Sequence, residues 1–360
     1  MVTVRTIALP TYEVTVAPGA LERVGALDSV GRAHRCVVIT DDNVGPLYAD
    51  RIHGAIGAAR TTVLTIPAGE AHKTRDTWAR LTDELLASGL GRDSLIVALG
   101  GGVVGDVGGF VAATYMRGVP YIQVPTTLLA MVDASIGGKT GVDTPAGKNL
   151  VGAFHQPLAV IVDPSVLATL PRAHLRAGFA EVIKHGVIAD EVYLDRAISA
   201  ASDLGSLDPV SDTMVELVSR SIEIKADVVR RDEREGGVRK VLNFGHTIGH
   251  AVELLSDYSM LHGDAIAIGM SYESELAERC GVATAGTAER IQRAVMAAGF
   301  ERRRPTSMAP EQIVAATHGD KKVRAGRVEY ALPSRVGAMA GASSGWSIAV
   351  DDELVQSVLN

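Results

Sequence analysis

Cysteine is nearly absent: among 360 residues only Cys36 and Cys280 carry thiols. Two cysteines this far apart exclude a disulfide scaffold and a four-thiolate zinc site, so any metal must be held by histidines and carboxylates. Long apolar runs are also lacking. Stretches free of Asp, Glu, Lys and Arg, such as residues 118–132, stop short of the roughly 20 apolar residues a membrane span requires. Residues 1–10 hold one arginine and no apolar core of signal-peptide length, so the expectation is a cytoplasmic protein without a membrane partner. Positive charge is in deficit, with 35 Lys and Arg against 42 Asp and Glu and a formal net charge of −7. That balance disfavours nucleic acid as a partner, because such binding rests on neutralising phosphates. A small anionic substrate fits if basic residues gather locally.

The composition is that of a folded globular chain, with 47% apolar and 21% charged residues. Its length allows two domains. The 38 glycines and the scarcity of aromatics, at 4%, suit many tight strand-to-helix turns. Short β-branched runs at Tyr12–Val16, Arg35–Thr40, Thr61–Ile66, Ser94–Leu99, Tyr121–Val124 and Ala159–Val162 are strand-sized. Helical patterns such as Thr77–Ser88 lie between them, so residues 1–171 are expected to form an α/β domain on a parallel sheet. From residue 172 to 360 the pattern predicts a mainly helical domain, with long amphipathic segments at Arg172–Ile188, Asp212–Arg231, Phe244–Leu255, His262–Cys280 and Thr287–Ala298. Ala338–Ser347 reads as a surface loop.

Several strand ends carry ligand-competent chemistry. Ser94–Leu99 runs into Gly100-Gly101-Gly102-Val103-Val104-Gly105-Asp106, a G-x-G-x-x-G pattern between strand and helix. There the backbone can approach a pyrophosphate and the helix N-terminus favours its charge. This loop is not the first strand-to-helix turn, and no acidic strand end follows about 20 residues later, as the usual dinucleotide fold would have it. Asp41-Asp42-Asn43, after an earlier strand, offers ribose-binding acceptors or a plain helix cap. Glu70 and Lys73 in Pro67–Thr74 could hold a ribose and a phosphate or form a solvated turn. Thr126 and Thr127 place hydroxyls after the next strand. Lys139 and Lys148, in the glycine-rich stretch from Asp133 to Asn149, call for anionic partners if half-buried. Gly138-Lys139-Thr140 looks like a P-loop fragment, but Val132 stands where its first glycine belongs, which rejects nucleoside triphosphate hydrolysis.

The second half places polar groups within apolar helical segments: Glu181, Lys184 and His185 in one, His246 and His250 in another, and His262 at the start of a third. One carboxylate and two imidazoles with an open position describe a catalytic zinc site. Spacing alone nominates His246 and His250, four apart on one helix face, and leaves the third ligand open. Lys225 and Arg239 are the better anion ligands among the basic residues, while Arg302–Arg304 read as a solvated face.

Taken together, Gly69–Lys73, Gly100–Asp106, Gln123–Leu129, Asp133–Lys139, Lys148-Asn149, Gly178–Gly186, Glu235–Arg239, Leu242–His250 and His262–Met270 resemble the 3-dehydroquinate synthases of the sugar phosphate cyclase superfamily across nearly the whole chain. Asp264 departs from the glutamate common there. The resemblance implies a Rossmann-like α/β NAD-binding domain at residues 1–171, a mainly α-helical metal- and substrate-binding domain at 172–360, and an active site in the cleft. It implies zinc, or cobalt, on Glu181, His246 and His262, with His250 moved to substrate contact. Around NAD it places Glu70, Lys73, Gly102, Val103, Val104, Gly105, Asp106, Thr126, Thr127, Lys139, Lys148 and the segment Val166–Thr169. Asp41 and Asn43 join this set from the strand-end reading. Asp133, Lys139, Asn149, Lys184, Lys225, Arg239, Asn243, His250 and one of Lys321 and Lys322 would line a sugar phosphate substrate. Arg117 would reach the neighbouring subunit's site in a homodimer. The implied reaction converts 3-deoxy-D-arabino-heptulosonate 7-phosphate to 3-dehydroquinate and phosphate, using NAD transiently without net oxidation. Rival readings are another cyclase of the superfamily, a metal-dependent polyol dehydrogenase with net NAD turnover, and a non-catalytic NAD sensor.

Overall fold

Short β-branched runs alternating with helical segments build the first half of the molecule. The computed structural model describes residues 4–202, 204–318, 323–324 and 327–360. They divide into two compact units, the first Met1–Leu170 with Asp208–Ala226 and the second Pro171–Leu207 with Asp227–Asn360.

The first unit contains β1 (Arg5–Ala8), β2 (Glu13–Val16), α1 (Asp28–Arg32), β3 (Arg35–Asp41), α2 (Gly45–Ile56), β4 (Thr61–Ile66), α3 (Arg75–Ala87), β5 (Ser94–Gly100), α4 (Gly102–Thr114), β6 (Tyr121–Pro125), β7 (Lys139–Thr144), β8 (Gly147–Phe154) and β9 (Ala159–Val162). Seven strands form one sheet in the order β1-β2-β9-β6-β5-β3-β4, parallel except for β1 against β2. The central strands β5 and β6 are buried along their whole length, as expected where helices cover both faces. Strand order reverses between β3 and β5, since β3 is followed in sequence by β4 on one side and β5 by β6 on the other. Such a switch point opens a crevice at the C-terminal strand ends. β7 and β8, a hairpin within the stretch the sequence marks only as glycine-rich, form a separate two-stranded sheet. A Cβ on Gly109 of α4 would lie 2.5 Å from Thr140 Cγ2, so glycine brings α4 against β7.

The second unit is built on α5 (Arg172–Ala189), α6 (Glu191–Ala201), α8 (His246–Leu255), α9 (His262–Arg279), α10 (Thr287–Ala297), α11 (Pro310–Thr317) and α12 (Asp352–Leu359). α7 (Asp212–Arg231) runs through both units, and its residues to Ala226 pack with the first. The sequence reading groups them with the helical half because periodicity reports a buried face and not what covers it. Ala338–Ser347 is more than a loop: Ala338–Met339 pairs with Pro333–Arg335, and Ala342–Ser344 forms a 3-10 turn. Its small residues give no periodic signal over so short a span. Among the described residues no helix is long and apolar enough to cross a membrane.

α5 is buried almost throughout from Leu175 to Ile188, so its neighbours must approach closely. Glycine permits this: a Cβ on Gly263 of α9 would stand 2.0 Å from the Ala177 carbonyl oxygen of α5, and one on Gly269 only 1.9 Å from that of Gly245. Neither neighbour is a movable side-chain end. Gly269→Ala is therefore expected to destabilise the chain by about 1–3 kcal/mol or more. Gly54→Ala, inside α2 with nothing within 4 Å of the added carbon, is expected to stabilise it by about 0.4–1 kcal/mol. Urea denaturation of both variants checks the opposite signs.

Candidate functional site

In the first unit the residues singled out by sequence gather at the C-terminal ends of the parallel strands. Gly100 closes β5, and a Cβ there would clash with the Val104 side chain at 2.6 Å. Gly101 then caps α4, so Gly102, Val103, Val104, Gly105 and Asp106 form its first turn, whose N–H groups favour an anion. The Thr126 N–H, past β6, donates to the Gly100 carbonyl at 2.9 Å. Thr127 Oγ1 accepts from the Ala130 N–H. Asp41, at the end of β3, accepts the Asn43 and Val44 N–H groups on one oxygen at 3.0 and 2.8 Å, so that oxygen already serves the turn into α2. Thr169 pairs its hydroxyl with Tyr48 at 2.6 Å.

The densest polar cluster surrounds Lys73, buried at 4% exposure. Its Nζ lies 2.5 Å from Asp106 Oδ2 and donates to Asn149 Oδ1 at 2.6 Å. Glu70 is 3.9 Å from the same Nζ and 3.4 Å from that of Lys148. Burial opposes the Lys73 charge, but the carboxylates of Asp106 and Glu70 outweigh it and hold the amine above its ordinary pKa. Asp143, which sequence reasoning passed over, accepts the Asn149 N–H at 2.8 Å and fixes that residue at φ 54°. Its only sequence signal was an acid within the glycine-rich stretch from Asp133 to Asn149. Lys225 donates to both the carbonyl and carboxylate oxygens of Asp133 at 2.7 Å. Lys139 opens β7 with an exposed side chain, and Arg117 is exposed in the turn after α4 at φ 69°.

In the second unit three helices converge on Glu181, which is fully buried in α5. His246 is the first residue of α8 and His262 the first of α9. Their Nε2 atoms stand 3.6 and 3.8 Å from Glu181 Oε1. Ligands each about 2.1 Å from a tetrahedral ion are about 3.4 Å apart, so this spacing fits a single divalent cation. The outer nitrogens are already committed. His246 Nδ1–H donates to the Phe244 carbonyl at 3.0 Å, and His262 Nδ1–H to Glu253 Oε2 at 3.3 Å, which turns both Nε2 lone pairs inward. Burial works against charge on His262, yet Glu181 and Glu253 push its pKa up to about 9. The same negative potential attracts a cation.

His250, four residues on, is exposed, its ring 5.2 Å from that of His246 and 6.0 Å from that of His262. With Glu253 and His262 it forms a second close donor group, but Glu253 there engages the outer nitrogen of His262. Helix spacing selects the His246/His250 pair; the three-dimensional packing instead joins His246 to Glu181 and His262. Lys184 contacts Glu181 directly from one turn along α5. Arg239 is buried, donating from its guanidinium to the Glu233 carbonyl, and Asn243 donates to Glu235 Oε1 at 2.8 Å. Glu253 was not singled out by sequence, because one acid in a helical pattern gives no sign of its partner, and Glu235 entered only as the first residue of the Glu235–Arg239 motif. Lys321 and Lys322 lie outside the described residues.

Comparison with known proteins bears on what this arrangement is for. Residues 63–177 match the family model for the 3-dehydroquinate synthase N-terminal region and residues 178–323 that for the C-terminal region. A 3-dehydroquinate synthase of Rippkaea orientalis is 40% identical over 97% of this chain and 95% of its own length. Among solved structures, a 2-deoxy-scyllo-inosose synthase complexed with carbaglucose-6-phosphate, NAD⁺ and Co²⁺ superposes with a TM-score of 0.90 at 26% identity, covering 99% of both chains. The 2-epi-5-epi-valiolone synthase of Streptomyces hygroscopicus subsp. jinggangensis, with NAD⁺ and Zn²⁺ bound, gives 0.85 at 28% identity over 99% of this chain and 98% of its own. Matched through both halves and along almost its entire length, the chain belongs to the 3-dehydroquinate synthase family.

Proposed function

We propose that this chain converts 3-deoxy-D-arabino-heptulosonate 7-phosphate to 3-dehydroquinate and phosphate, in the cytoplasm, with NAD and one divalent metal, zinc or cobalt. The observation that carries the reading is the Glu181, His246 and His262 cluster, three ligand atoms within 4.8 Å of one another, in a chain of this family. The first unit is assigned to NAD and the second to the metal.

When bound, NAD supplies a reversible hydride acceptor and the metal a Lewis acid for a substrate hydroxyl. The chain's own residues do the holding. The first turn of α4 takes the pyrophosphate, and Lys73, Glu70 and Lys148 anchor the cofactor beside it. Lys184, Lys225 and Arg239 bind the substrate's carboxylate and phosphate, with Lys139, Asn149, Asn243, His250 and Asp133 completing its hydrogen bonds. Arg239 is at 1% exposure and Lys225 at 6%, so neither spends its charge on bulk water. Fixing the phosphate close to C6 lets it take that proton as the C7–oxygen bond breaks.

A homodimer in which Arg117 serves the neighbouring site belongs to this reading. Among the described residues β8 pairs within its sheet with β7, and it carries Leu150, Val151 and Phe154 at 44, 38 and 46% exposure. Large apolar side chains exposed together form a patch of the kind that subunit contacts cover, and we assign a second copy of the chain to it.

Incubation with the heptulosonate phosphate, zinc and substoichiometric NAD should release inorganic phosphate and dehydroquinate in equal amounts without NADH build-up. Steady NADH accumulation with a polyol and no phosphate release would overturn the reading. His262→Ala is expected to lower zinc affinity by more than about 100-fold, beyond the loss typical of an outer-shell partner, while NAD binding persists in equilibrium dialysis. Arg239→Ala should cut kcat/KM roughly 10- to 100-fold, the worth of a charged hydrogen bond, with zinc content unchanged by elemental analysis. Mixing inactive Arg117→Ala and His262→Ala chains should restore part of the activity if Arg117 acts across a two-fold interface; no recovery after verified subunit exchange rejects that role.

A further inference from the structure

Glu273 lies in α9, three turns beyond His262, and is fully buried. A carboxylate in that setting is costly unless its oxygens are satisfied. They are satisfied by backbone: Oε2 accepts the Gly245 N–H at 2.6 Å, and Oε1 accepts those of Thr247 and Ile248, each at 2.9 Å. These N–H groups belong to the first turn of α8 and the residue before it, where a helix has no internal acceptors to offer. His246 sits inside the bracket, so a side chain of α9 determines where the first residue of α8 lies. Gly245, at φ 79°, makes the turn into that helix, and its carbonyl touches Gly269 at a distance only glycine allows. No capping side chain comes from the Gly245 position itself.

The reverse link runs through Glu253 of α8, whose Oε2 receives the His262 Nδ1–H. Each helix thus carries one histidine of the metal cluster and one acid that fixes the histidine of the other.

We propose that Glu273 is a positioning residue of the metal centre: by holding the N–H groups of Gly245, Thr247 and Ile248 it sets where His246 Nε2 stands relative to Glu181 and His262. The inference rests on the reading that those three residues hold the ion. Glutamine keeps the shape but presents an NH₂ group to one end of the bracket, where it meets an N–H instead of accepting from it. The ligand itself is untouched.

The test compares wild type, Glu273→Gln and Glu273→Asp by chelator competition for zinc, and records the visible absorption of the cobalt-loaded proteins. Glu273→Gln is expected to weaken zinc binding about 10- to 100-fold and to shift the cobalt bands, with NAD affinity unchanged. Glu273→Asp, which keeps both oxygens, should recover part of the affinity. Equal zinc affinity and identical cobalt spectra in wild type and Glu273→Gln, with only a lower melting temperature, would show a purely structural role and overturn the proposal. A wild-type chain that binds neither metal would overturn the metal reading along with it. If neither variant folds, amide exchange in the wild-type chain decides. Zinc should slow exchange at Thr247 and Ile248 more than at the far end of α8, and unchanged exchange at the bracket would overturn the proposal.

Discussion

A carboxylate with no exposure to water, Glu181, is the constraint around which the helical unit is organised. Placing a charge in a helix buried on nearly every side costs several kcal/mol unless cationic or metal partners meet it. The partners come from one turn along the same helix, Lys184, and from the first residues of two others, His246 and His262. Those histidines reach it because glycines at 263 and 269 remove the side chains that would hold α9 away from α5 and α8. Electrostatics demands the convergence, and close backbone packing permits it. Breaking one without the other would leave either an unpaired buried charge or a well-packed core with no site.

The α/β unit meets a related problem with opposite means. Lys73 is the buried charge there, and acids from separate elements surround it: Asp106 from the first turn of α4 and Glu70 from the turn after β4. Because Lys73 also reaches Asn149, a residue assigned to cofactor holds one assigned to substrate. The parallel sheet supplies the frame, since its strand ends all deliver backbone N–H groups and short side chains to one rim.

Much of this was legible in the sequence, for identifiable reasons. Thr61–Ile66, Ala159–Val162 and Asp212–Arg231 appear with the bounds their patterns predict, because the first two are short β-branched runs, the third is amphipathic along its length, and each is closed by a turn residue or a change in polarity. The glycine loop was readable because a strand precedes it and an apolar helix follows. The β7–β8 hairpin escaped: alternating glycine, lysine and threonine carries no hydrophobic period, and its register comes from packing on α4. The cluster of Glu181, His246 and His262 divides in the same way. That Glu181, His246 and His262 were unusual could be seen from their apolar neighbours. Which imidazoles share the acid could not, because i,i+4 spacing describes one helix whereas the cluster depends on three. Family resemblance supplied that choice where geometry on paper could not. Glu253 had no signal of its own, since an acid's partner is defined only once the chain is folded.

One feature of the chain's route constrains its history. The segment Asp208–Ala226 leaves the helical unit, packs with the α/β unit and returns, and it carries Lys225 to its bond with Asp133. A single crossover after residue 170 would deliver a sheet stripped of that lysine, joined to helices carrying a foreign one. The two units are thus interleaved along the gene, and an exchange of halves at that point would separate Lys225 from the Asp133 it evolved beside.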